Sequence, residues 1–130
     1  MSGPLLDRID LTIEVPSVSA ETFAFGASSA PHAEDSAMVR ARVIEANSRQ
    51  RERQSKLNAR LTVSEVAQHC APPAEAQALL EQAMSRLSLS ARAHHRVLKV
   101  ARTIADLAGR TLVDAVHLAE AIGYRQFERR

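Results

Sequence analysis

The sequence predicts an all-α protein, a bundle of about five helices preceded by one strand-like segment and a long flexible linker. Three observations support this fold class. Hydrophobic residues make up 45% of the 130 residues and aromatic residues only 3%, a composition that favours helices packed through small side chains over a sheet sandwich. Apolar residues recur at helical spacing through most of the chain after residue 37. Proline, glycine and hydroxyl residues separate these stretches, as is typical of helix ends.

The first 37 residues are predicted to be a unit of their own. Apolar and polar residues alternate from Ile9 to Val15, which is typical of a strand with one buried face, and Pro16 ends the run. Residues 17–37 are rich in Ser and Ala and predict a linker. Because no second strand-like run follows, the strand either pairs with a sheet outside these residues or is loosely held. The expected division is therefore 1–37 and 38–130.

The first predicted helix changes character along its length. Val39, Val43 and Ala46 recur at i, i+4 and i+7, whereas residues 47–56 contain no apolar side chain. We therefore expect the first half of this helix to pack and its second half to be solvated.

Four cations share one face of this helix if it is continuous, since Arg42, Arg49, Arg53 and Lys56 fall at i, i+7, i+11 and i+14. The ordinary interpretation is a solvated helix end. The alternative is a surface that follows the phosphates of DNA, for which no base-reading motif adds support.

Two helical stretches follow, separated by prolines. Thr62 and Glu65 have the spacing of a capping box, and a short helix to about Cys70 follows them. Pro72 ends that helix, and Pro73 suits the first turn of the next. This next helix has the widest apolar stripe and is expected to be central to the core. Its inward residues are predicted to be Ala76, Leu79, Leu80, Ala83, Met84 and Leu87.

The last two helices have clear boundaries in the sequence. Ser90 is the predicted N-cap of the fourth helix, and Gly109 is its natural end. Residues 111–114 are expected to cap the fifth helix. The inward residues of the fourth are predicted to be Val97, Val100, Ala101, Ile104, Ala105 and Ala108, and those of the fifth Leu112, Ala115, Val116, Ala119 and Ile122.

The fourth helix also has a basic face that is a candidate phosphate site. Arg92, Arg96 and Lys99 lie at i, i+4 and i+7, and Arg92 falls in the first turn, where the helix N-terminus favours an anion. Exposed arginines on a helical bundle are the ordinary alternative. His94 and His95 point about 100° apart on the helix and have no further ligands nearby in sequence, so no metal site is predicted.

Composition excludes several classes of protein. The single cysteine, Cys70, rules out an internal disulfide framework and a cysteine-based zinc site, and it is consistent with a reducing cytoplasm. No stretch approaches the roughly 20 apolar residues that cross a bilayer, and the N-terminus has no basic region followed by an apolar block. We therefore expect a cytoplasmic protein with no membrane partner. The net charge is +2, but residues 39–60 hold seven basic and two acidic residues, an asymmetry that suggests separate surfaces.

Several segments resemble one family. The segment Leu5-Leu6-Asp7-Arg8-Ile9 resembles the arginine-finger segment of the magnesium-chelatase-like AAA+ ATPases, which ends on the last strand of their nucleotide-binding core. Residues 90–109 (SARAHHRVLKVARTIADLAG) look like the lid-helix signature of the competence protein ComM group within that family. Residues 40–61 and 119–125 are similar to the same group. The resemblance therefore covers nearly the whole chain.

The resemblance implies different roles for the two parts of the chain. Residues 1–37 would end the AAA+ core, and residues 38–130 would form the C-terminal helical lid. Arg8 would act as an arginine finger in trans on the ATP of a neighbouring subunit in a ring, with a hexamer expected. Arg92 would be the sensor-2 arginine, with Arg96 as the less favoured choice. ATP and Mg²⁺ would be cofactors of the intact parent protein, and the competence group implies action on DNA in uptake and recombination.

The chain departs from the family in one respect. No Gly-x-x-x-x-Gly-Lys-(Ser/Thr) sequence occurs in the 130 residues, and no acidic strand end is available to hold Mg²⁺. We therefore predict no ATPase activity and no cofactor for these residues alone. Two function classes remain: the lid of an AAA+ motor, or a stand-alone helical module that binds nucleic acid or protein through the basic helix at residues 40–60.

Overall fold

Five α-helices form the part of the chain that the structure, a computed structural model, describes: Ile9, residues 11–13 and residues 35–125. The helices are α1 (Ser36–Gln54), α2 (Val63–His69), α3 (Ala74–Leu87), α4 (Ala91–Leu107) and α5 (Ala115–Gly123), with one 3-10 turn at Asn58–Arg60. The prediction of an all-α fold with about five helices is confirmed. Ile9 and residues 11–13 form no strand. The rest of the predicted strand and almost all of the linker lie outside the described residues.

The predicted helix ends are reproduced where a specific capping chemistry was identified. Thr62 accepts a hydrogen bond from the amide of Glu65 while the Glu65 carboxylate accepts from the amide of Thr62, which completes the capping box of α2. The Ser90 side chain caps α4. Gly109 ends α4 with a φ of 72°, and its amide donates to the Asp106 carbonyl. Glycine is favoured there because this left-handed conformation strains other side chains.

Helix α4 lies at the centre of the fold and packs against α1, α2, the 3-10 turn and α5, whereas α3 packs on α5. The expectation that α3 would be central is therefore wrong. The prediction for α3 was based on its apolar stripe. Helix α4 buries apolar residues and also the polar residues Arg102 and Asp106. The largest fully buried apolar side chains are Leu80, Leu118, Val66, Val97 and Val113.

Several predicted inward positions of α3, α4 and α5 face solvent instead. Leu79 is 52% exposed, Leu112 57% and Val116 68%, and Ala108 and Ala119 are exposed as well. In α5 the reason is the start of the helix, because Asp114 is its N-cap and the His117 ring accepts from the Asp114 amide at 2.9 Å. This contact turns His117 inward and sets a register in which the buried residues are His117, Leu118, Ala121 and Ile122.

Helix α1 packs mainly with the half that was predicted to be solvated. Of the three residues predicted to pack, Ala46 is buried, but Val39 and Val43 are exposed like the rest of residues 36–45, and Gln50 in the other half is buried. The second half packs on α4 through hydrogen bonds and ion pairs. Apolar periodicity does not detect contacts of that kind, which is why the prediction was wrong.

Candidate functional site

A buried carboxylate at the C-terminal end of α4 organises the polar side of the bundle. Asp106 is 0% exposed. The Arg53 guanidinium reaches both of its oxygens, from Nη1 to Oδ1 at 2.8 Å and from Nη2 to Oδ2 at 3.0 Å. Arg102 Nη2 lies 3.1 Å from Oδ1, and Asn58 Nδ2 donates to Oδ2 at 3.0 Å. We call Asp106, Arg53, Arg102 and Asn58 the Asp106 cluster. It joins α1, the 3-10 turn and α4.

Further polar groups make hydrogen bonds around the Asp106 cluster. Arg49 Nη1 donates to the backbone carbonyl of Asp106 at 2.8 Å. Gln50 accepts from the Asn58 amide at 2.8 Å, and Gln54 Nε2 donates to Asn58 Oδ1 at 2.7 Å. Buried polar groups are tolerated when they are paired in this way. The second half of α1 is therefore held by a network rather than by an apolar face.

Arg102 links the Asp106 cluster to the loop that follows α4. It is 3% exposed, and it donates from Nη1 to the Thr111 carbonyl at 2.8 Å and from Nη2 to the Arg110 carbonyl at 2.7 Å. Burial lowers the pKa of Arg102 from its ordinary value, and the nearby Asp106 charge opposes that change. The planar guanidinium suits this position because it can serve several oxygens at once.

The four cations predicted as one stripe do not form it, because α1 ends at Gln54, before Lys56. Arg53 and Arg49 donate to Asp106, and Lys56 Nζ lies 3.0 Å from the Glu65 carboxylate. Arg42 is exposed. A role for these residues in DNA binding stays a prediction, but two of the arginines are occupied within the fold.

Glu65 connects the end of α1 to the start of α2. Hydrogen bonds from the Thr62 amide and from Lys56 lower its pKa to about 2, against the opposing effect of desolvation. An anion at this place is also favoured by the N-terminus of α2. The carboxylate therefore has a structural role at the surface.

The predicted phosphate-binding residues lie on α4, in the turns that precede Arg102 and Asp106. Arg92 is exposed in the first turn, where the Ser90 side chain accepts from the Ala93 amide at 3.1 Å. Arg96 follows one turn later and is half-buried, as is Lys99. At 1.5 Å per residue, Arg92 is about 21 Å along the helix from Asp106. The structure thus keeps the predicted sensor residue away from the arginines of α1.

Lys99 also borders a groove among the described residues. This groove has a volume of about 460 Å³ and is mainly apolar. Its lining residues are Leu11, Ile13, Ala59, Lys99, Val100, Thr103, Ile104, Leu107, Glu120 and Tyr124. It lies between α4, α5 and the short N-terminal segment.

The histidines and the cysteine belong to the packing of the helices. The His94 and His95 rings meet edge to face with centroids 5.7 Å apart, and burial, followed by the effect of His95, lowers the pKa of His94. Cys70 is buried, which raises its pKa to about 11. Within the described residues, no three His, Cys, Asp or Glu side chains are grouped so that they could hold a metal ion.

Sequence reasoning missed the Asp106 cluster, although a signal for it was present. Arg102 and Asp106 are spaced i, i+4 and fall among the buried positions Leu98, Ala101 and Ala105 of α4. An acid and a base at that spacing inside an apolar face indicate a buried ion pair. Their partners on α1 could not be identified in the same way, because they are about 50 residues distant in sequence.

Arg8, the predicted arginine finger, lies outside the described residues. Ile9, which follows it, is described, and its carbonyl accepts a hydrogen bond from Arg125 Nη1 at 2.9 Å. The two ends of the described chain therefore meet at the end of α5.

The sequence of the helical region matches a known protein family. Residues 33–125 match the family described as "Magnesium chelatase, subunit ChlI C-terminal". The chain belongs to this family. The matched segment of this magnesium chelatase family contains all five helices, α1 to α5. The resemblance drawn from the sequence is confirmed at the level of the family.

Relatives of this magnesium chelatase family member are longer proteins. The chain is 43% identical over 129 residues to "Competence protein ComM" of Haemophilus influenzae, covering 99% of this chain and 25% of that protein. It is 42% identical over 133 residues to "Uncharacterized protein YifB" of Escherichia coli and 36% identical over 130 residues to "Uncharacterized protein Rv2897c" of Mycobacterium tuberculosis, in each case covering 25% of the relative. The chain therefore spans about a quarter of their length and corresponds to a C-terminal part of such proteins.

A helix that spans a membrane must be both long and apolar. Among the described residues, none of the helices combines the length and the apolar character that a membrane span requires.

Proposed function

We propose that this chain is the helical lid of a magnesium-chelatase-like AAA+ ATPase and that it contributes two arginines to ATP hydrolysis in a ring. Arg92 contacts the phosphates bound by its own polypeptide. Arg8 acts on the nucleotide of the neighbouring subunit. The remaining part of the polypeptide binds ATP and Mg²⁺, since the 130 residues contain no phosphate-loop sequence.

The position of Arg92 is the observation that supports this proposal best. It is exposed in the first turn of the 17-residue helix α4. The free amides of a helix N-terminus favour an anion, and a guanidinium beside them can form two parallel hydrogen bonds to phosphate oxygens. The other end of α4 is held by the Asp106 cluster, so a contact made at Arg92 can move the helical domain as one body.

The test of Arg92 uses a polypeptide that carries the nucleotide-binding part together with this chain. Arg92→Ala is expected to weaken ATP binding and to lower turnover, because the phosphates lose a charged partner. Arg86→Ala is the matched control, since Arg86 is an exposed arginine in the last turn of α3. Equal ATP affinity and equal turnover in the two variants would exclude the sensor role.

The test of Arg8 separates hydrolysis from binding. A trans arginine finger is worth about 10³ to 10⁵ in rate in other nucleotide hydrolases. We expect Arg8→Ala to reduce kcat strongly while the Kd for ATP stays close to that of the unsubstituted protein. If Arg8→Ala leaves kcat unchanged, Arg8 is not an arginine finger.

Action on DNA by a hexameric ring is the least supported part of this proposal. It rests on the group resemblance and on the name of one relative, a competence protein. The expected result is an ATP-dependent hexamer in light scattering whose ATP turnover rises when DNA is added. The alternative function, a stand-alone module that binds through residues 40–60, gains no support from the geometry, because Arg49 and Arg53 already donate to Asp106.

A further inference from the structure

The N-terminal segment is attached to the end of α5 by three hydrogen bonds. The Thr12 amide donates to the Tyr124 carbonyl at 2.8 Å, and the Thr12 hydroxyl donates to the same carbonyl at 2.7 Å. Arg125 Nη1 donates to the Ile9 carbonyl at 2.9 Å. These contacts join residues that are 112 and 116 positions apart in the chain. We call Thr12, Arg125 and the two carbonyls the terminal clamp.

The chemistry of the terminal clamp follows from the position of its groups. Tyr124 is the C-cap of α5. Carbonyls at a helix C-terminus have no partner within the helix, so the Tyr124 carbonyl needs donors from elsewhere. Thr12 supplies two. Arg125 is 2% exposed, so its hydrogen bond to the Ile9 carbonyl is shielded from solvent. A charged donor binds a carbonyl strongly in such an environment.

The terminal clamp is continuous with α4. Helix α5 packs on α4, and Leu11 and Ile13 line one groove together with Val100 and Ile104 of α4. The segment that begins one residue after Arg8 is thus fixed to the same pair of helices that carries Arg92.

We propose that Thr12 and Arg125 are positioning residues for the arginine finger. They hold the segment that follows Arg8 on the end of α5. As a result, Arg8, which acts on the nucleotide of the neighbouring subunit, moves together with Arg92, which contacts the nucleotide of its own subunit. This role rests on the proposed function of Arg8. The terminal clamp itself rests only on the described contacts and is tested separately.

The first experiment measures the terminal clamp in the 130-residue chain by amide hydrogen exchange. The Thr12 amide is expected to be protected, and Arg125→Ala is expected to speed its exchange by about tenfold or more while the amide of Val97 in the core of α4 is unchanged. Thr12→Val, which keeps the shape of the side chain and removes the hydroxyl donor, should have a smaller effect in the same direction. Unprotected exchange at Thr12 in the unsubstituted chain would overturn the proposal.

The second experiment measures the consequence in the ATP-hydrolysing polypeptide. A small misplacement of a reacting group can cost about 100-fold in rate. We therefore expect Arg125→Ala to lower kcat by about 10- to 100-fold with the Kd for ATP unchanged, Arg125→Lys to recover part of the loss, and Arg86→Ala to have no effect. A loss of ATP affinity equal to the loss of kcat would indicate a structural role and contradict positioning.

Mixed rings separate positioning from misfolding. Arg125→Ala subunits keep an intact nucleotide site and lack only a well-placed finger. Mixed with subunits that cannot bind ATP but have an intact finger, they should regain turnover above that of either preparation alone. Failure of this mixture, when Arg8→Ala subunits are rescued in the same assay, overturns the role of Arg125. If Arg8→Ala leaves kcat unchanged, Arg8 is not an arginine finger, and the positioning role of Thr12 and Arg125 is refuted as well. The hydrogen-exchange experiment tests the terminal clamp independently of Arg8.

Discussion

The two ends of α4 use the same residue type for opposite purposes. Arg102, near the C-terminal end, is 3% exposed and is held by Asp106 and by two backbone carbonyls. Arg92, in the first turn, is exposed. A guanidinium that is buried needs all of its partners within the fold, and these fix its position. A guanidinium at an exposed helix N-terminus remains available to an external anion.

The difference arises from what surrounds each end. The C-terminal end meets α1, the 3-10 turn and the loop of residues 110–111, which together supply the donors and acceptors of the Asp106 cluster. The N-terminal end carries its own cap at Ser90. We conclude that the position of an arginine relative to neighbouring elements, rather than its place in a basic stripe, determines whether it is structural or available for binding.

The strongest test of this comparison removes the buried carboxylate. Asp106→Ala leaves Arg102 buried without its ion-pair partner, and breaking a buried pair in this way costs about 3–5 kcal/mol of unfolding free energy. Urea denaturation measures the change. The matched control is Glu45→Ala, which removes a 69% exposed carboxylate 4.0 Å from Arg49 and should cost less than about 1 kcal/mol. Equal losses in the two variants would contradict a special role for the buried end.

The end of α4 should also be sensitive to backbone strain. Gly109 has a φ of 72°, and a Cβ at this position would lie 3.4 Å from Arg49 Nη2. Since the left-handed conformation disfavours a side chain, Gly109→Ala is expected to lower the unfolding free energy by about 1–2 kcal/mol. A thermal melt of the variant measures this. Ala108→Gly, one residue earlier at the exposed C-cap with a φ of −83°, is the comparison without such strain, and a smaller loss is expected there.

A surface carboxylate provides the intermediate case, and its effect depends on pH. The pKa of Glu65 is lowered from 4.5 to about 2 in the folded protein, mainly by the Thr62 amide. Because the folded pKa lies below the unfolded one, this contribution is complete above about pH 4.5 and is lost as the pH falls toward 2. The stability difference between the unsubstituted protein and Glu65→Gln should therefore shrink over this range. A difference that stays constant with pH would contradict the assignment.

The smallest effect on stability is expected at the exposed end of α4. Arg92→Ala removes a charge from the surface and leaves α4 packed as before, so its unfolding free energy should change by no more than about 0.5 kcal/mol. Denaturation of Arg92→Ala beside Arg86→Ala measures this. A loss approaching that of Asp106→Ala would place Arg92 among the structural arginines and weaken its proposed role with phosphate.

The sequence was sufficient for three helix ends that depend on neighbouring residues, although it missed the equally local contact between Asp114 and His117 at the start of α5. The Thr62 capping box, the Ser90 cap and the end of α4 at Gly109 were all predicted, because each involves groups within a few positions of one another. Family membership was also recognisable from the segments quoted above, and the match over residues 33–125 confirms it. The residues assigned to phosphate and DNA remain predictions, since the structure alone does not test them.

Tertiary structure decided the features in which distant residues meet. It placed the second half of α1 inward because Arg53 and Asn58 reach Asp106, which no local pattern in α1 reveals. It also brought Thr12 to the carbonyl of Tyr124. The physical reason is common to both: local propensity places helices and their caps, whereas the partners of a buried polar group are known only when the elements have packed.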